Sequence, residues 1–295
     1  MSTDGARARP LASAFPRART RRLPRPGLVA DFLLLGVWLL IALFPIYWVI
    51  TSSFKNPLDT LAIPPVWVFE PTINAYLNVF VLGNYSAYFL NTVIVSVGTT
   101  AIALSLGSLA AYALDRYPFR LRELVSYLLL GTRMIFPIVY AIPLFQVFGW
   151  LGLLDSQIGL IIAYTTFSLP YAVWIMQSFF NGIPTDLDDA ARIDGCSRFG
   201  AFWRVILPLS APGIGAAAIF IMLLAWNEFL FALILAGGGQ ARTLPVAASL
   251  LVGQRELQWN ELCAVATATI VPLLIFFGFL QKQLIRGMVA GAVKG

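Results

Sequence analysis

Few residues of this chain have side chains that could take part in catalysis. The residue types that are missing exclude most catalytic sites. The sequence contains no histidine, which removes Ser-His-Asp and Cys-His catalysis and the usual zinc sites. Two charged residues, Arg133 and Glu228, lie inside long apolar stretches. A polar segment, residues 183–208, separates two such stretches. We therefore expect neither a catalytic residue nor a metal site. Arg133, Glu228 and the polar segment are instead candidates for binding or transporting a solute.

The composition indicates that most of the chain lies in a bilayer. Hydrophobic residues make up 59% of the 295 residues and charged residues 12%, whereas a soluble domain has about 25% charged residues. Six stretches approach or exceed the roughly 20 residues that a spanning helix needs. They are residues 31–53, 87–113, 123–148, 157–180, 212–237 and 259–284. The sequence predicts an all-α polytopic membrane protein with six transmembrane helices, the third of which tolerates Pro137 and Pro143.

Lysine and arginine are concentrated on one side of the predicted spans, which sets the orientation of the chain. Sixteen of the twenty basic residues lie on the side of the N-terminus, and only Lys55, Arg242 and Arg255 lie on the other. Arg133 is the remaining one, within the third span. We expect an inner (plasma) membrane protein with both termini cytoplasmic. Cys196 and Cys263 would then lie on opposite sides, so a disulfide is not expected.

The first 28 residues differ from the rest. They carry seven arginines and four prolines and predict a disordered basic cytoplasmic tail, followed by a transmembrane domain over residues 29–295. A cleaved signal peptide is the alternative, but the apolar run that follows is longer than the roughly 7–15 residues of such a segment. The net charge of +6 arises largely in this tail, so it is a topology signal and nucleic acid is not an expected partner.

The polar segment 183–208 predicts a helix-turn-helix. Thr185 and Asp188 have the spacing of a capping box, which predicts a helix over residues 185–194. Gly195 is placed to end that helix in the left-handed conformation. A second helix is predicted over residues 197–206 and should stop at Pro208. From the pattern alone, an amphipathic loop that rests on the lipid headgroups is an equal alternative.

The spacing within this segment favours a specific family. Asp189-Ala190-Ala191, three residues, Gly195, nine residues, Val205, one residue and Leu207-Pro208 resemble the EAA loop of ABC importer permeases. The family consensus is Glu-Ala-Ala, x3, Gly, x9, Ile, x, Leu-Pro, so this sequence departs from it at Asp189 and Val205. The resemblance implies that the loop contacts a separate ATPase. The implied coupling residues are Asp188, Asp189, Ala190, Ala191, Asp194, Gly195, Val205, Leu207 and Pro208.

Other stretches resemble the maltose-type carbohydrate branch of the same family. They are residues 134–145 (MIFPIVYAIPLF), 152–155 (GLLD), 225–229 (AWNEF) and 287–295 (GMVAGAVKG). The resemblance implies an ABC importer type I transmembrane domain. Its implied partners are a second, different permease subunit, a cytoplasmic ATPase dimer, an external binding protein and a sugar, besides membrane lipid. No Walker A motif occurs in the chain, so we expect it to bind no cofactor, with ATP and Mg used by the partner ATPase.

Polar and aromatic residues within the spans are candidates for a sugar path, because intramembrane ionisable groups are often functional and rings stack on sugar faces. They are Asn91, Arg133, Tyr164, Thr166, Tyr171, Trp174, Gln177, Asn227 and Glu228. Each could instead be a structural fixture: a helix cap, a helix-packing residue or part of an aromatic belt.

Two other functions remain open at this point. The solute could be a polyol, a glycerol phosphodiester or a sulfonated sugar rather than a simple sugar. A self-sufficient secondary transporter is an alternative of a different class, but it predicts repeated halves with broken helices, and no such repeat is visible. An intramembrane enzyme is a third class, against which the absence of histidine weighs.

Overall fold

The computed structural model describes the backbone of residues 26–252 and 258–292 and the side chains of residues 30–252, 258–279 and 281. These residues form helices and connecting segments and contain no β-strand. Residues 1–25 of the predicted N-terminal tail, Arg255 and Lys294 lie outside the described residues, and the predicted end of the tail at residue 28 is wrong, because residues 26–28 already belong to the first helix. The chain divides into two compact units, residues 1–47 and 48–295. The described part of the first unit is the apolar start of helix α1, and every contact given below lies within the second unit.

The longer helices account for most of the predicted spans. They are α1 (Pro26–Ser53), α2 (Tyr85–Arg116), α3 (Arg122–Gly131), α4 (Pro137–Trp150), α5 (Gln157–Phe180), α6 (Asp186–Ile193), α7 (Arg198–Leu209), α8 (Ala211–Trp226), α9 (Leu230–Leu235), α10 (Leu244–Val252) and α11 (Trp259–Ala292). Shorter turns of helix occupy Pro57–Thr60, Asn74–Tyr76 and Leu77–Leu82.

The predicted count of six spanning helices is not confirmed. Within the described ranges, four helical segments are long and apolar enough to cross a membrane, namely Ala30–Ser53, Tyr85–Arg116, Gln157–Phe180 and Trp259–Phe279. The pair α7 and α8, which meets at 79°, is a fifth candidate. Counting that pair as one span gives five, and the third predicted span, residues 123–148, has no continuous counterpart.

The prediction of one continuous third helix is wrong. Helix α3 ends at Gly131, and α4 begins at Pro137 after Phe136, which is extended at φ −60° and ψ 132°. The ring of a proline disfavours helical backbone at the residue before it. Pro137 therefore starts a new helix, as it can in a first turn, whereas Pro143 is accommodated inside α4.

The predicted fifth span is also interrupted. Helix α8 ends at Trp226, and residues 227–229 separate it from the short helix α9. Both breaks place a charged residue, Arg133 and Glu228, in non-helical backbone beside helix ends. Irregular backbone at membrane depth needs polar partners inside the protein, and the contacts of these residues supply them.

The core is built on the close approach of α2 and α5, and α8 packs against both as well as against α11. Small residues allow this approach: Gly107 of α2 lies so close to Ala172 of α5 that an added Cβ would overlap the alanine. Ala103 and Ala111 on the same helix are fully buried. Such small-residue contacts let the van der Waals attraction between membrane helices act at short range.

Candidate functional site

The polar segment forms the predicted helix-turn-helix, made of α6 and α7 and here called the elbow. Gly195 adopts φ +87°, a conformation that glycine takes without steric cost. The Cys196 N–H donates to the Ala191 carbonyl at 3.0 Å, and the Gly195 N–H donates to the Arg192 carbonyl at 3.1 Å. These two bonds are a Schellman motif. The structure therefore confirms the two helices and the role of Gly195 in ending the first.

Two details of the predicted elbow are wrong. The Thr185 side chain makes no capping hydrogen bond, because the Thr185 backbone is itself helical at φ −65° and ψ −25° and the Asp188 N–H donates to the Thr185 carbonyl at 2.9 Å. Pro208 does not stop the second helix, which continues to Leu209. A wide π-type turn over Phe202–Ile206 precedes Leu207–Leu209. Pro208 thus lies in the first turn of a new α-helical segment, where its missing N–H costs little.

The exposed face of the elbow carries most of the predicted coupling residues. The Asp189 side chain is 70% exposed and lies 3.7 Å from Arg192. A groove of about 470 Å³ lies at the turn and the start of α7. Its lining is Gly195, Cys196, Ser197, Phe199, Gly200, Trp203 and Arg204. Arg204 and the rings of Phe199 and Trp203 therefore share one accessible groove.

The other predicted coupling residues differ in how they are placed. Exposed positions are Ala190, Asp194 and Pro208, half-buried ones are Val205 and Leu207, and Ala191 is buried. Asp188 also faces inward: its carboxylate accepts a hydrogen bond from the Tyr112 hydroxyl at 2.5 Å and pairs with Arg116 at 2.9 Å. The elbow thus has one face toward the solvent and one toward α2.

Arg133 lies in the break between α3 and α4 and is held by α5. Its Nη1 donates to the Phe167 carbonyl at 2.5 Å, and its guanidinium lies 4.1 Å from the centre of the Tyr171 ring. A cavity of about 200 Å³, here the Arg133–Trp174 cavity, is lined by Arg133, Tyr171, Trp174 and Gln177 among others. Tyr171, Trp174 and Gln177 share one face of α5 because they are three residues apart.

Glu228 lies in the break between α8 and α9. Its two carboxylate oxygens accept hydrogen bonds from the N–H groups of Phe231 at 3.0 Å and Ala232 at 3.2 Å. A carboxylate is favourable at a helix N-terminus, where N–H groups have no partner within the helix. Glu228, Arg133 and Tyr164 line a second cavity of about 190 Å³, here the Arg133–Glu228 cavity. Arg133 therefore borders both cavities.

Similarity to a known protein family shows what kind of protein carries the elbow and the two cavities. The family described as binding-protein-dependent transport system inner membrane component matches residues 103–290, which contain the elbow and both cavities. This chain belongs to that family. It is a multi-pass membrane permease, and the family is one of transport proteins rather than enzymes.

Relatives match the permease over nearly its whole length. A sulfoquinovosyl glycerol transport system permease protein of Agrobacterium fabrum is 36% identical over 266 residues, which cover 90% of this chain and 93% of the relative. A trehalose/maltose transport system permease protein of Thermococcus litoralis is 36% identical over 280 residues, covering 94% and 99%.

A solved structure supports the fold. The permease resembles a chain of a bacterial ABC transporter that imports the acidic polysaccharide alginate, with a TM-score of 0.68 and 23% identity. The match covers 86% of the permease and 95% of that chain. The all-α ABC importer fold that the sequence predicts is thereby confirmed.

Three predicted path residues lie away from the two cavities of the permease. Thr166 faces a separate hollow of about 600 Å³, largely apolar, and bonds to the Ile162 carbonyl at 2.9 Å. Asn227 is exposed and donates to the Leu223 carbonyl of the preceding helix α8 at 2.8 Å. Asn91 is buried within a network of polar contacts.

That network holds the segment between α9 and α10. The Asn91 Nδ2 donates to the carbonyls of Gln240 at 2.7 Å and Arg242 at 3.0 Å, and its Oδ1 accepts from Gln157 at 2.7 Å. Asp155 accepts from the N–H groups of Gln240 at 3.1 Å and Ala241 at 3.0 Å. Asn91 thus has a structural role: it connects the segment between α9 and α10 to the start of α5.

The permease also uses residues that the sequence analysis did not select. Tyr112, Arg116 and Asp155 each contact a segment that is distant in the sequence. For example, Arg116 donates a hydrogen bond to the Ile183 carbonyl at 2.8 Å. Tyr112 and Arg116 are four residues apart on α2, so the sequence does place them on one helix face. Nothing in the sequence pairs that face with Asp188.

Proposed function

We propose that this chain is the permease subunit of an ATP-driven sugar importer. The elbow would dock a separate ATPase dimer, a second permease subunit would complete the membrane path, and an external binding protein would deliver the solute. ATP and Mg would be used by the ATPase alone. The N- and C-termini and the elbow would face the cytoplasm, as the distribution of basic residues indicates.

The elbow is the observation that carries this proposal. Gly195 lines a groove together with the rings of Phe199 and Trp203, which are 63% and 61% exposed, and the Asp189 side chain of the same elbow is 70% exposed. A rigid two-helix unit with a charged and aromatic surface suits a contact with a soluble partner. A carboxylate such as Asp189 would bind a basic group on the ATPase.

The two cavities support a sugar as the solute. The Arg133–Trp174 cavity presents the rings of Tyr171 and Trp174 together with the Gln177 amide, and pockets with aromatic walls and few polar groups suit polar organic ligands. The names of the two relatives, which include trehalose, maltose and sulfoquinovosyl glycerol, point to the same solute class.

Arg133 favours a second candidate within this function, an anionic sugar derivative. A guanidinium binds sulfonate, carboxylate or phosphate oxygens through a planar pair of N–H donors, and this one borders both cavities. If the solute is anionic, Arg133→Gln should abolish its uptake, whereas Arg133→Lys should retain part of it. Equal uptake by all three proteins would remove Arg133 from solute recognition.

Reconstitution tests the proposed function. The permease, its partner permease and the ATPase are placed in liposomes with ATP inside, and the binding protein is added outside with labelled trehalose, maltose or sulfoquinovosyl glycerol. We expect uptake of at least one solute that requires ATP and the binding protein. Liposomes that contain this chain alone should neither hydrolyse ATP nor accumulate solute. Accumulation by the chain alone under a proton or sodium gradient would support a secondary transporter instead.

A further inference from the structure

A buried ionic cluster joins the elbow to the end of α2. Arg116, the last residue of α2, uses all three nitrogens of its guanidinium: Nε lies 2.9 Å from Asp188, Nη1 lies 3.0 Å from Asp115, and Nη2 donates to the Ile183 carbonyl at 2.8 Å. The side chains of Arg116, Asp115 and Asp188 are 8%, 3% and 13% exposed. The cluster is therefore largely shielded from water, unlike the surface pair of Asp189 and Arg192.

Tyr112, one turn earlier on α2, holds both helices of the elbow. Its hydroxyl donates to Asp188 of α6 at 2.5 Å, and its ring lies 4.8 Å from the ring of Phe202 in α7. The same ring packs on Phe180, the last residue of α5. Tyr112 and Arg116 thus bring α2, the end of α5 and both elbow helices to one point.

This arrangement separates two tasks in the elbow. Asp189 and Gly195 face outward, where an ATPase would bind. Asp188 faces inward and is already paired within the chain. The hydrogen bond from Tyr112 to the Asp188 carboxylate is charge-assisted and directional, and the Arg116–Asp188 ion pair lies beside it, so a shift of α6 relative to α2 would break both contacts. Helix α2 packs along α5, and α5 forms a wall of the Arg133–Trp174 cavity. A displacement of the elbow that moves α2 and α5 therefore also moves a wall of that cavity.

We propose that the Arg116–Asp188 pair, braced by Tyr112, transmits movement of the elbow to α2 and α5. Arg116 and Asp188 are positioning residues in this proposal, which rests on the proposed function as an ATPase-coupled permease. The pair acts after docking: the ATPase binds the outer face of the elbow, and the inner face carries the displacement into the membrane domain. Loss of the pair should leave docking intact and uncouple ATP hydrolysis from uptake.

The test compares Arg116→Gln, Asp188→Asn, their double variant and Tyr112→Phe in the full reconstituted complex. Arg120→Gln is the matched control, since it removes an exposed arginine four residues beyond Arg116 and outside the elbow. Three quantities are measured: the ATPase that co-purifies with the permease, the ATPase rate stimulated by the binding protein, and the labelled solute taken up per ATP hydrolysed.

We expect Arg116→Gln and Asp188→Asn to retain the ATPase but to lower uptake per ATP by about tenfold or more, since a lost buried charge contact typically shifts an equilibrium by at least that factor. Tyr112→Phe should have a smaller effect in the same direction. The double variant should lose less than the product of the two single losses, because each single variant already removes the Arg116–Asp188 contact. Arg120→Gln should keep the wild-type uptake per ATP.

Three outcomes would overturn the proposal. Wild-type uptake per ATP in all four variants would show that the pair transmits nothing. Loss of the ATPase from the purified complexes would place the pair in docking. Failure of every variant, including Tyr112→Phe, to assemble in the membrane would make the cluster a folding element only. A wild-type complex that neither retains the ATPase nor transports would instead contradict the proposed function, so the two failures are distinguishable.

Discussion

Arg133 and Glu228 line one cavity of about 190 Å³, although they reach it from two different helix breaks. Each is held by the backbone of another segment, Arg133 by the Phe167 carbonyl and Glu228 by the N–H groups that begin α9. The helix breaks therefore position the two charges at the cavity, and backbone groups help to offset the cost of placing them in the membrane.

Glu228→Gln should separate the two roles of this side chain. The amide oxygen can still accept from one N–H of α9, but the amide nitrogen cannot accept from the other, so we expect a loss of about 1 kcal/mol in stability and a complex that still assembles. If the negative charge lines the solute path, uptake falls while the ATPase rate persists. Melting temperature, complex yield and labelled-solute uptake are measured together. Wild-type uptake with normal assembly would make Glu228 a helix cap alone.

Gly195→Asp should block coupling without preventing membrane insertion. A residue with a Cβ is less stable in left-handed backbone by about 1–2 kcal/mol, and a carboxylate would add charge beside the exposed Asp189 and Asp194. An added Cβ meets no described atom within 4 Å, so the fold should survive. We expect weaker ATPase co-purification and no uptake. Gly195→Ala is the control for the backbone effect, and it should lose less than the aspartate variant.

Asp189→Lys should weaken docking by reversing the charge that faces the ATPase. The residue is largely exposed and its one described ion pair, with Arg192, is long at 3.7 Å. Such surface pairs contribute about 0–1 kcal/mol, so the permease itself should remain as stable as the wild type. We expect loss of the co-purified ATPase and of uptake. A variant that keeps both at wild-type levels would show that the outer face of the elbow is only a surface loop.

Asn91→Ala should destabilise the packing of α2 against the segment between α9 and α10. It removes the donor to the carbonyls of Gln240 and Arg242 and leaves the Gln157 amide without its acceptor. An unsatisfied buried polar group costs about 1–3 kcal/mol, so we expect a lower melting temperature. Asn227→Ala is the control, because that side chain is exposed and should change stability little. Unchanged stability with impaired uptake would return Asn91 to the solute path.

Cys196 should react only from the cytoplasmic side. The Cys263→Ser variant leaves it as the one cysteine of the chain. An impermeant maleimide should miss Cys196 in intact cells and label it in inverted membrane vesicles. Labelling of intact cells would reverse the orientation that the basic residues predict.

The sequence alone was sufficient for features whose cause is local. Apolar stretches of membrane length predicted the long helices α1, α2, α5 and α11, because burial in lipid depends on composition over about 20 residues. Gly195 was predicted as a helix terminator because left-handed backbone is a property of glycine itself. The spacing from Asp189 to Pro208 was enough to identify the permease family.

Tertiary structure decided whatever depended on a partner distant in the chain. Pro137 breaks the helix locally, but the partners of Arg133 in that break, the Phe167 carbonyl and the Tyr171 ring, lie on another helix. Asp188 was read as a capping residue for α6, three residues from Thr185, yet it pairs with Arg116, 72 positions away, since a buried cation offers more than a local N–H. Periodicity and spacing carry no information on such pairings, because they arise only when α2 and the elbow pack together.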